Sequence, residues 1–360
     1  MKKPEFCKIL ILNLRFIRIL LWIPHSLKLH IKLKVKIKLL LIRLAGYVYA
    51  SMCLAPMFSH IIRKIKNNDF PSVIMIETIS FCNSRCIICP TPELSKELPQ
   101  GKMSRELYKK IIDEGSKYRV KIICFYLNNE PLLDENITER IRYAKEKIPY
   151  AKTVLSTNAS LLTREITHLI LNYVDVFSFS IFGIRKYDYE KMMLGLNFEK
   201  TIENIDYFLR YRKEKGFKNR VLIRYVIGNN YLLRQEAVRG LRKIYEFWDK
   251  KGIWCSWYLL VTRAGNVRSL QYNTRQNKRL RGCWYMNTPL TFMNILFNGD
   301  VVLCCMDSRR EVILGNVKEK SLYEIWNSKL YNEVRDRIYL NKKSKDDFLC
   351  NRCVNPHFNI

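Results

Sequence analysis

The sequence predicts an α/β protein built on a parallel sheet, with an extension before it and a hairpin-and-helix module after it. Three observations predict this. Six short β-branched or aromatic runs alternate with helical stretches between residues 71 and about 265. The first 70 residues combine positive charge with dense apolar content. Near the C-terminus, Asn298-Gly299 separates two apolar runs, a strong hairpin signal. At 360 residues the chain is long enough to bury a large core and to hold more than one domain.

The extension is assigned to residues 1–68. Over residues 1–70, Lys and Arg outnumber acids fourteen to two, and Ile, Leu, Phe and Trp fill the spaces between. That composition suits a segment lying on an anionic membrane surface. Arg15 and Arg18 interrupt the apolar run a secretory signal needs. The stretch Leu44 to Phe58, ahead of the polar Ser59-His60 pair, has 15 residues, short of the roughly 20 that span a bilayer core. The expectation is therefore an interfacial anchor on a cytoplasmic protein, peripheral to the inner face of the membrane. The alternative is an extension that packs its apolar side on the main body. The motif "LKLHIKLKVKIKL" alternates at period two and puts Lys28, Lys32, Lys34, Lys36 and Lys38 on one face if extended.

After the break at Asn67 to Pro71, the strands are expected at Val73 to Ile79, Ile122 to Leu127, Thr153 to Ser156, Val174 to Ile181, Val221 to Ile227 and Trp254 to Val261. The intervening stretches carry apolar residues at spacings of three and four, and Ser104 and Thr163 are candidate N-caps. Loops at the carboxyl ends of such strands are where sites form. The stretch "ETISFCNSRCIICP" follows the first strand directly.

That stretch holds Cys82, Cys86 and Cys89 within eight residues. Twelve cysteines in a long chain without a signal peptide point to a reducing compartment, where clustered thiols are metal ligands more often than bridges. Structural zinc wants four ligands, and no fourth Cys or His lies in this loop. A cubane iron–sulfur cluster held by three thiolates leaves one iron open to a small chelating ligand. Zinc or free thiols are the competing readings.

The C-x3-C-x2-C spacing after the first strand of a βα series resembles the radical S-adenosylmethionine (radical SAM) superfamily. Further motifs recur in the family's order. "NNEP", Asn128, Asn129, Glu130 and Pro131, follows the second strand where the family has Gly-Gly-Glu-Pro near the SAM amino group. "STNAS" ends the third strand and is similar to the family's turn near the ribose and carboxylate, implicating Ser156 and Asn158. Ser178, Ser180 and Arg224 match polar positions of the SAM pocket on the fourth and fifth strands. Asn128 and Asn129 depart from the usual glycines, and Ile88 stands in place of an aromatic residue. The resemblance implies a partial (β/α)6 barrel of the TIM type over residues 69–270. It also implies a [4Fe-4S] cluster on Cys82, Cys86 and Cys89 whose open iron binds SAM, and reductive cleavage of SAM to a 5′-deoxyadenosyl radical.

A second cysteine set follows: Cys283, Cys304, Cys350 and Cys353, with "LGNV" and "SLYEIWNS" between. This pattern resembles the twitch subdomain, the shortened relative of the SPASM extension. It implies a small α+β iron–sulfur domain over residues 278–360 with one auxiliary [4Fe-4S] cluster on four cysteines. A four-cysteine zinc ribbon is the competing reading. Cys305 is a spare thiol or a swapped ligand. Cys7, Cys53, Cys124 and Cys255 lie in apolar runs and read as buried small hydrophobes.

The chemistry so implied is hydrogen abstraction followed by oxidation of the substrate radical through the auxiliary cluster, with a flavodoxin- or ferredoxin-like electron donor. The net charge of +30 calls for an acidic partner. The expected substrate is a sugar, cyclitol or lipid-linked glycan intermediate; a peptide or protein, as for relatives that mature sulfatases or modify peptides, is the runner-up. Nucleic acid ranks below both, since much of the charge sits in the apolar extension. A membrane-associated metal scaffold is the non-enzymatic alternative. No general base is singled out: Asp175, Asp188, Glu190 and Arg263 lie near strand ends or loops, where solvated surface is their ordinary fate; for Arg263 the alternative is that "TRAGNV", Thr262 to Val267, just after the last strand, carries it toward the pocket.

Overall fold

The computed structural model describes residues 69–227, 235–267, 287–340 and 347–353, with Arg63, Leu280, Gly282 and Cys283. Apart from Arg63, the membrane reading of residues 1–68 lies outside the described residues, Cys7 and Cys53 included.

The strands are β1 (Val73–Ile76), β2 (Arg85–Cys86), β3 (Ile122–Cys124), β4 (Lys152–Thr157), β5 (Val176–Ser180), β6 (Met193–Leu194), β7 (Arg220–Ile227), β8 (Trp254–Leu259), β9 (Phe292–Ile295), β10 (Asp300–Val302) and β11 (Ile313–Asn316). Between and after them run helices α1 (Arg105–Gly115), α2 (Ile137–Lys147), α3 (Arg164–Ile170), α4 (Phe198–Glu214), α5 (Gln235–Lys250), α6 (Leu322–Trp326) and α7 (Lys329–Tyr339). All six expected strands are present, each followed to its neighbour by parallel pairing in the order β1-β3-β4-β5-β7-β8. β8 does not return to β1 among the described strands, so the barrel is open. The expected N-caps hold: Ser104 Oγ accepts from Leu107 N at 3.1 Å and Thr163 Oγ1 from Ile166 N at 3.3 Å. A capping box between Ser321 and Glu324 opens α6.

Three of the strands end two or three residues earlier than their composition suggests, β1 at Ile76, β3 at Cys124 and β8 at Leu259. The apolar run continues past the sheet because the following residues, such as Tyr126 and Leu127, wall a cavity instead of a ladder.

β1 is buried on both faces. Ile74 and Ile76 join the cluster under the helices with Ile111 and Ile112. Val73 and Met75 face the barrel interior with Cys124, Leu127 and Val302. An apolar residue at every position is what a strand buried on both faces requires, and each such side chain contributes roughly 1.5–3 kcal/mol.

The C-terminal hairpin does not form a separate sheet. β9 pairs in parallel with β1, from Val73↔Phe292 to Ile76↔Ile295, and β10 and β11 follow antiparallel, giving one nine-stranded sheet. The Asn298-Gly299 turn lies in the β9–β10 connection, where Gly299 has φ +93°. The loop after β10 folds back toward the ends of β1 and β3: Ser308 Oγ donates to Asn128 Oδ1 at 3.4 Å, and Arg310 reaches the Pro99 carbonyl at 3.1 Å. Arg63, at the end of the extension, bonds Asp336 at 3.2 Å and Asn332 at 3.0 Å on α7. At that residue the extension touches the body. No helix among the described residues is long and apolar enough to cross a membrane.

A Cβ at Gly299 would lie 2.8 Å from Asn316 Oδ1 on top of the positive φ. Gly299→Ala is expected to lower stability by about 1–3 kcal/mol, read as a lower urea midpoint with unchanged m-value.

Candidate active site

The cysteine loop is tied down on several sides. The Phe81 carbonyl accepts from Glu130 N at 2.9 Å, and Cys89 N donates to the Cys86 carbonyl at 3.0 Å. Cys86 lies in β2, paired with Met193 of β6. Asn83 bridges to the turn after β4, its Nδ2 donating to Ser160 Oγ at 2.9 Å and its Oδ1 accepting from Asn158 Nδ2 at 2.8 Å. Cys82, Cys86 and Cys89 together line a cavity of about 370 Å³. Burial pushes the Cys86 thiol up to about 11, and the neighbouring Cys89 and Glu130 add to it. The same causes raise Cys82, which stands at the exposed rim.

The second motif divides. Asn129 and Glu130 line the cavity, whereas Asn128 and Pro131 do not. Asn128 sits over a smaller polar depression, its N–H 3.4 Å from Glu77 Oε2. Pro131 opens a buried 3₁₀ turn, Pro131–Leu133. Glu130 accepts three hydrogen bonds, from Thr157 Oγ1 at 2.6 Å, Asn158 N at 2.8 Å and Leu132 N at 3.1 Å. Burial nevertheless pushes its carboxyl up to about 7. Ser156, Thr157 and Asn158 line the cavity, and Ala159 adopts φ +62° in the turn that follows them. Ser180 and Arg224 are on the wall together with Ile88. Ser178 is fully buried one alternation deeper in β5 and is not.

Of the four charged residues considered near strand ends, Arg263 alone lines the cavity. Asp175 pairs with Lys145 at 2.8 Å, Asp188 with Arg185 at 2.6 Å, and Glu190 accepts from Phe198 N at 3.1 Å.

The other four thiols converge. Burial pushes Cys304 far above the ordinary thiol range, and Cys305, Cys350, Cys353 and Cys283 all contribute their repulsion. Cys350 is raised the same way by burial, Cys353, Cys283 and Asp307. Asp307 shapes the Cys304 loop by accepting Glu311 N and Val312 N, each at 2.9 Å. Cys305 points elsewhere: its surroundings are Arg263, Arg224 and the interior cluster of Cys124. Cys353 and Met306 also line the main cavity, so the C-terminal module forms part of its wall. Cys124 and Cys255 are buried in the core, as their apolar runs suggest.

Among the described residues, no three such groups are drawn together tightly enough for a single metal ion. Two crowded sets of soft donors, costly to ionise unless a cation sits among them, fit a multi-iron cluster at each place. Sequence reasoning missed Glu77, whose carboxyl burial pushes up to about 7 against the opposing effect of Arg310 at 3.9 Å. A lone acid inside the apolar "SVIMIETI" was the available signal.

Fold and site thus define an open parallel barrel whose first loop presents three thiols beside a cavity, joined to a four-thiol module. Residues 76–238 match the radical SAM superfamily, and residues 283–354 match SPASM, an iron–sulfur cluster-binding domain. The chain belongs to the radical SAM superfamily and carries a SPASM-type domain. It is an oxidoreductase whose cofactors are SAM and two [4Fe-4S] clusters.

Among curated proteins it is similar to the S-adenosyl-L-methionine-dependent 2-deoxy-scyllo-inosamine dehydrogenase of Niallia circulans, 22% identical over 79% of this chain and 93% of the relative. It is also similar to the tungsten-containing aldehyde ferredoxin oxidoreductase cofactor-modifying protein of Pyrococcus furiosus, 24% identical over 78% of this chain and 88% of the relative. Among solved structures, BtrN in complex with AdoMet and 2-DOIA aligns with TM-score 0.52 at 20% identity, over 80% of this chain and 94% of that one. Streptococcus suis SuiB bound to precursor peptide SuiA aligns with TM-score 0.60 at 17% identity, over 76% and 69%.

The raised Glu77 carboxyl keeps its proton in the folded state where the unfolded chain has lost it. Its effect on stability is therefore complete below about pH 4.5, fades as pH rises to about 7, and is constant above. Glu77→Gln is expected to flatten the stability profile between those limits, checked by urea titrations at several pH values.

Proposed function

We propose that Cys82, Cys86 and Cys89 hold the SAM-binding cluster and that Cys283, Cys304, Cys350 and Cys353 hold the auxiliary one. The observation that carries this is the convergence of each set, the first around the cavity and the second around Cys304. The domain limits follow as 69–270 for the core and 278–360 for the auxiliary module. When bound, the cofactors supply a 5′-deoxyadenosyl radical and a one-electron acceptor for the substrate radical it leaves.

The chain's own part is positioning. Asn129, Glu130, Ser156, Asn158, Ser180 and Arg224 line the cavity and form the SAM surface in this reading. Glu130 acts through its neighbours: with both oxygens committed to Thr157, Asn158 and Leu132, it fixes the turn that presents Asn158. Asn83 couples that turn to the cysteine loop. Met306 and Cys353 add the C-terminal module's part of the wall.

The substrate reading is a small sugar or cyclitol alcohol, free or lipid-linked. Its support is the cyclitol dehydrogenase relative, which aligns over most of both chains. A flavodoxin- or ferredoxin-like protein supplies the electron, and the basic apolar residues 1–68 hold the enzyme at an anionic membrane surface, a reading supported by their composition.

Anaerobically purified protein is expected to carry about eight irons, four per cubane, and to form 5′-deoxyadenosine with dithionite and SAM. Cys86→Ala should abolish that product and lose about half the iron. Cys350→Ala should keep a measurable part of SAM cleavage while losing substrate turnover. Zinc in place of iron, or no SAM cleavage after full reconstitution, would sink the reading.

A further inference from the structure

We propose that the cavity takes a substrate bearing an oxyanion, and that Arg263 is the residue that selects it. This rests on the reading of the cavity as the SAM and substrate site.

Among the described residues, the charged side chains on the cavity wall, thiols aside, are Glu130, Arg263 and Arg224, the last of which belongs to the SAM surface. Glu130 is fully engaged by three donors of the protein itself, so it has little left for an ammonium group on a substrate. A cationic amino sugar would meet the Arg263 guanidinium there and, among the described residues, no available carboxylate. An anionic one meets the opposite balance.

Arg263 is held in place by a costly backbone. Arg263, Ala264 and Gly265 have φ of +49°, +57° and +79° in succession. Left-handed conformations at two non-glycine residues persist only where the surroundings impose them, and they concentrate at functional sites. Here Gly265 N donates to Thr262 Oγ1 at 3.2 Å, and the buried Asn266 donates to the Met306 carbonyl at 2.9 Å. The turn is thereby pinned between barrel and C-terminal module with the guanidinium projecting into the cavity.

The contacts of that guanidinium are long: 3.9 Å to Cys89 Sγ and 3.4 Å to the Cys305 carbonyl. Among the described residues no carboxylate pairs with it. A guanidinium offers five N–H donors in a planar fork that matches a phosphate or carboxylate with two parallel bonds. Arg263 therefore selects a phosphorylated or carboxylated sugar over a neutral one.

The test uses reconstituted, SAM-loaded wild type, Arg263→Gln and Arg263→Lys, titrated calorimetrically under anaerobic conditions with glucose 1-phosphate, glucuronate and glucose. Wild type is expected to bind one of the two anionic sugars at least about tenfold more tightly than glucose. Arg263→Gln should lose that margin, and Arg263→Lys, a point charge without the fork, should keep part of it. Which anionic sugar shows the effect tells phosphate from carboxylate. Glucose bound as tightly as both acids, equal affinities in wild type and Arg263→Gln, or a loss confined to SAM affinity would each overturn the proposal. Iron content reports folding of the variants. Should Arg263→Gln lose its iron, phenylglyoxal labelling of wild type decides: protection of Arg263 by the bound anionic sugar supports the proposal, and labelling unchanged by either acid overturns it. Wild type without clusters or 5′-deoxyadenosine would instead defeat the parent reading, independently of these affinities.

Discussion

Strand β1 hydrogen-bonds in parallel along both edges, to β3 on one side and β9 on the other. The relative placement of the two cysteine sets follows from that. The loop leaving β1 carries Cys82, Cys86 and Cys89, while β9 leads through the hairpin to Cys304. Locking both to one apolar strand leaves neither set free to drift as a domain on a linker would. Met306 and Cys353 reach the cavity because the module that carries them is built onto the barrel's own sheet.

Buried carboxylates then brace the loops against one another. Glu130 gathers the second and third loops through Thr157, Asn158 and Leu132, and its own N–H bonds the cysteine loop at Phe81. Glu77 stands between Asn128 and Arg310, which joins the second loop to the segment after β10. Each sits where desolvation works against its charge, a cost that hydrogen bonds only partly offset. Such groups contribute less to net stability than to a single arrangement of the loops.

Much of this was legible because it is local. The six strands announce themselves by β-branched runs, Ser104 and Thr163 by capping chemistry, and Asn298-Gly299 by its turn. Thiol spacing marks the loop after β1 without any knowledge of the fold. Pairing of β9 with β1 joins residues more than two hundred positions apart, and no local pattern encodes it. Ser178 and Ser180 share a face by the period-two rule, yet their heights differ, and height decides which one meets the cavity. Asn128 and Asn129 are adjacent in one motif, but the tight turn aims them into different spaces. Glu77 was marked only by being a lone acid in an apolar run, with its partner Arg310 far off in sequence, and the lock on Arg263 depends on Met306, far along the chain.

Burial has a double consequence for the thiols. Cys86, Cys304 and Cys350 are all harder to ionise here than in water, and each set's mutual repulsion adds to the difficulty. Thiolate is the form that binds metal, so ligand deprotonation and metal uptake are coupled, and each set is completed only by the positive charge it receives. A cation of the protein lies beside the first set without taking over that role: Arg263 Nη1 reaches Cys89 Sγ only at 3.9 Å. A guanidinium bonded closely to each thiolate would satisfy the charge and block the metal. Keeping Arg263 at the limit of contact preserves both the demand for iron and a fork of donors turned toward the cavity.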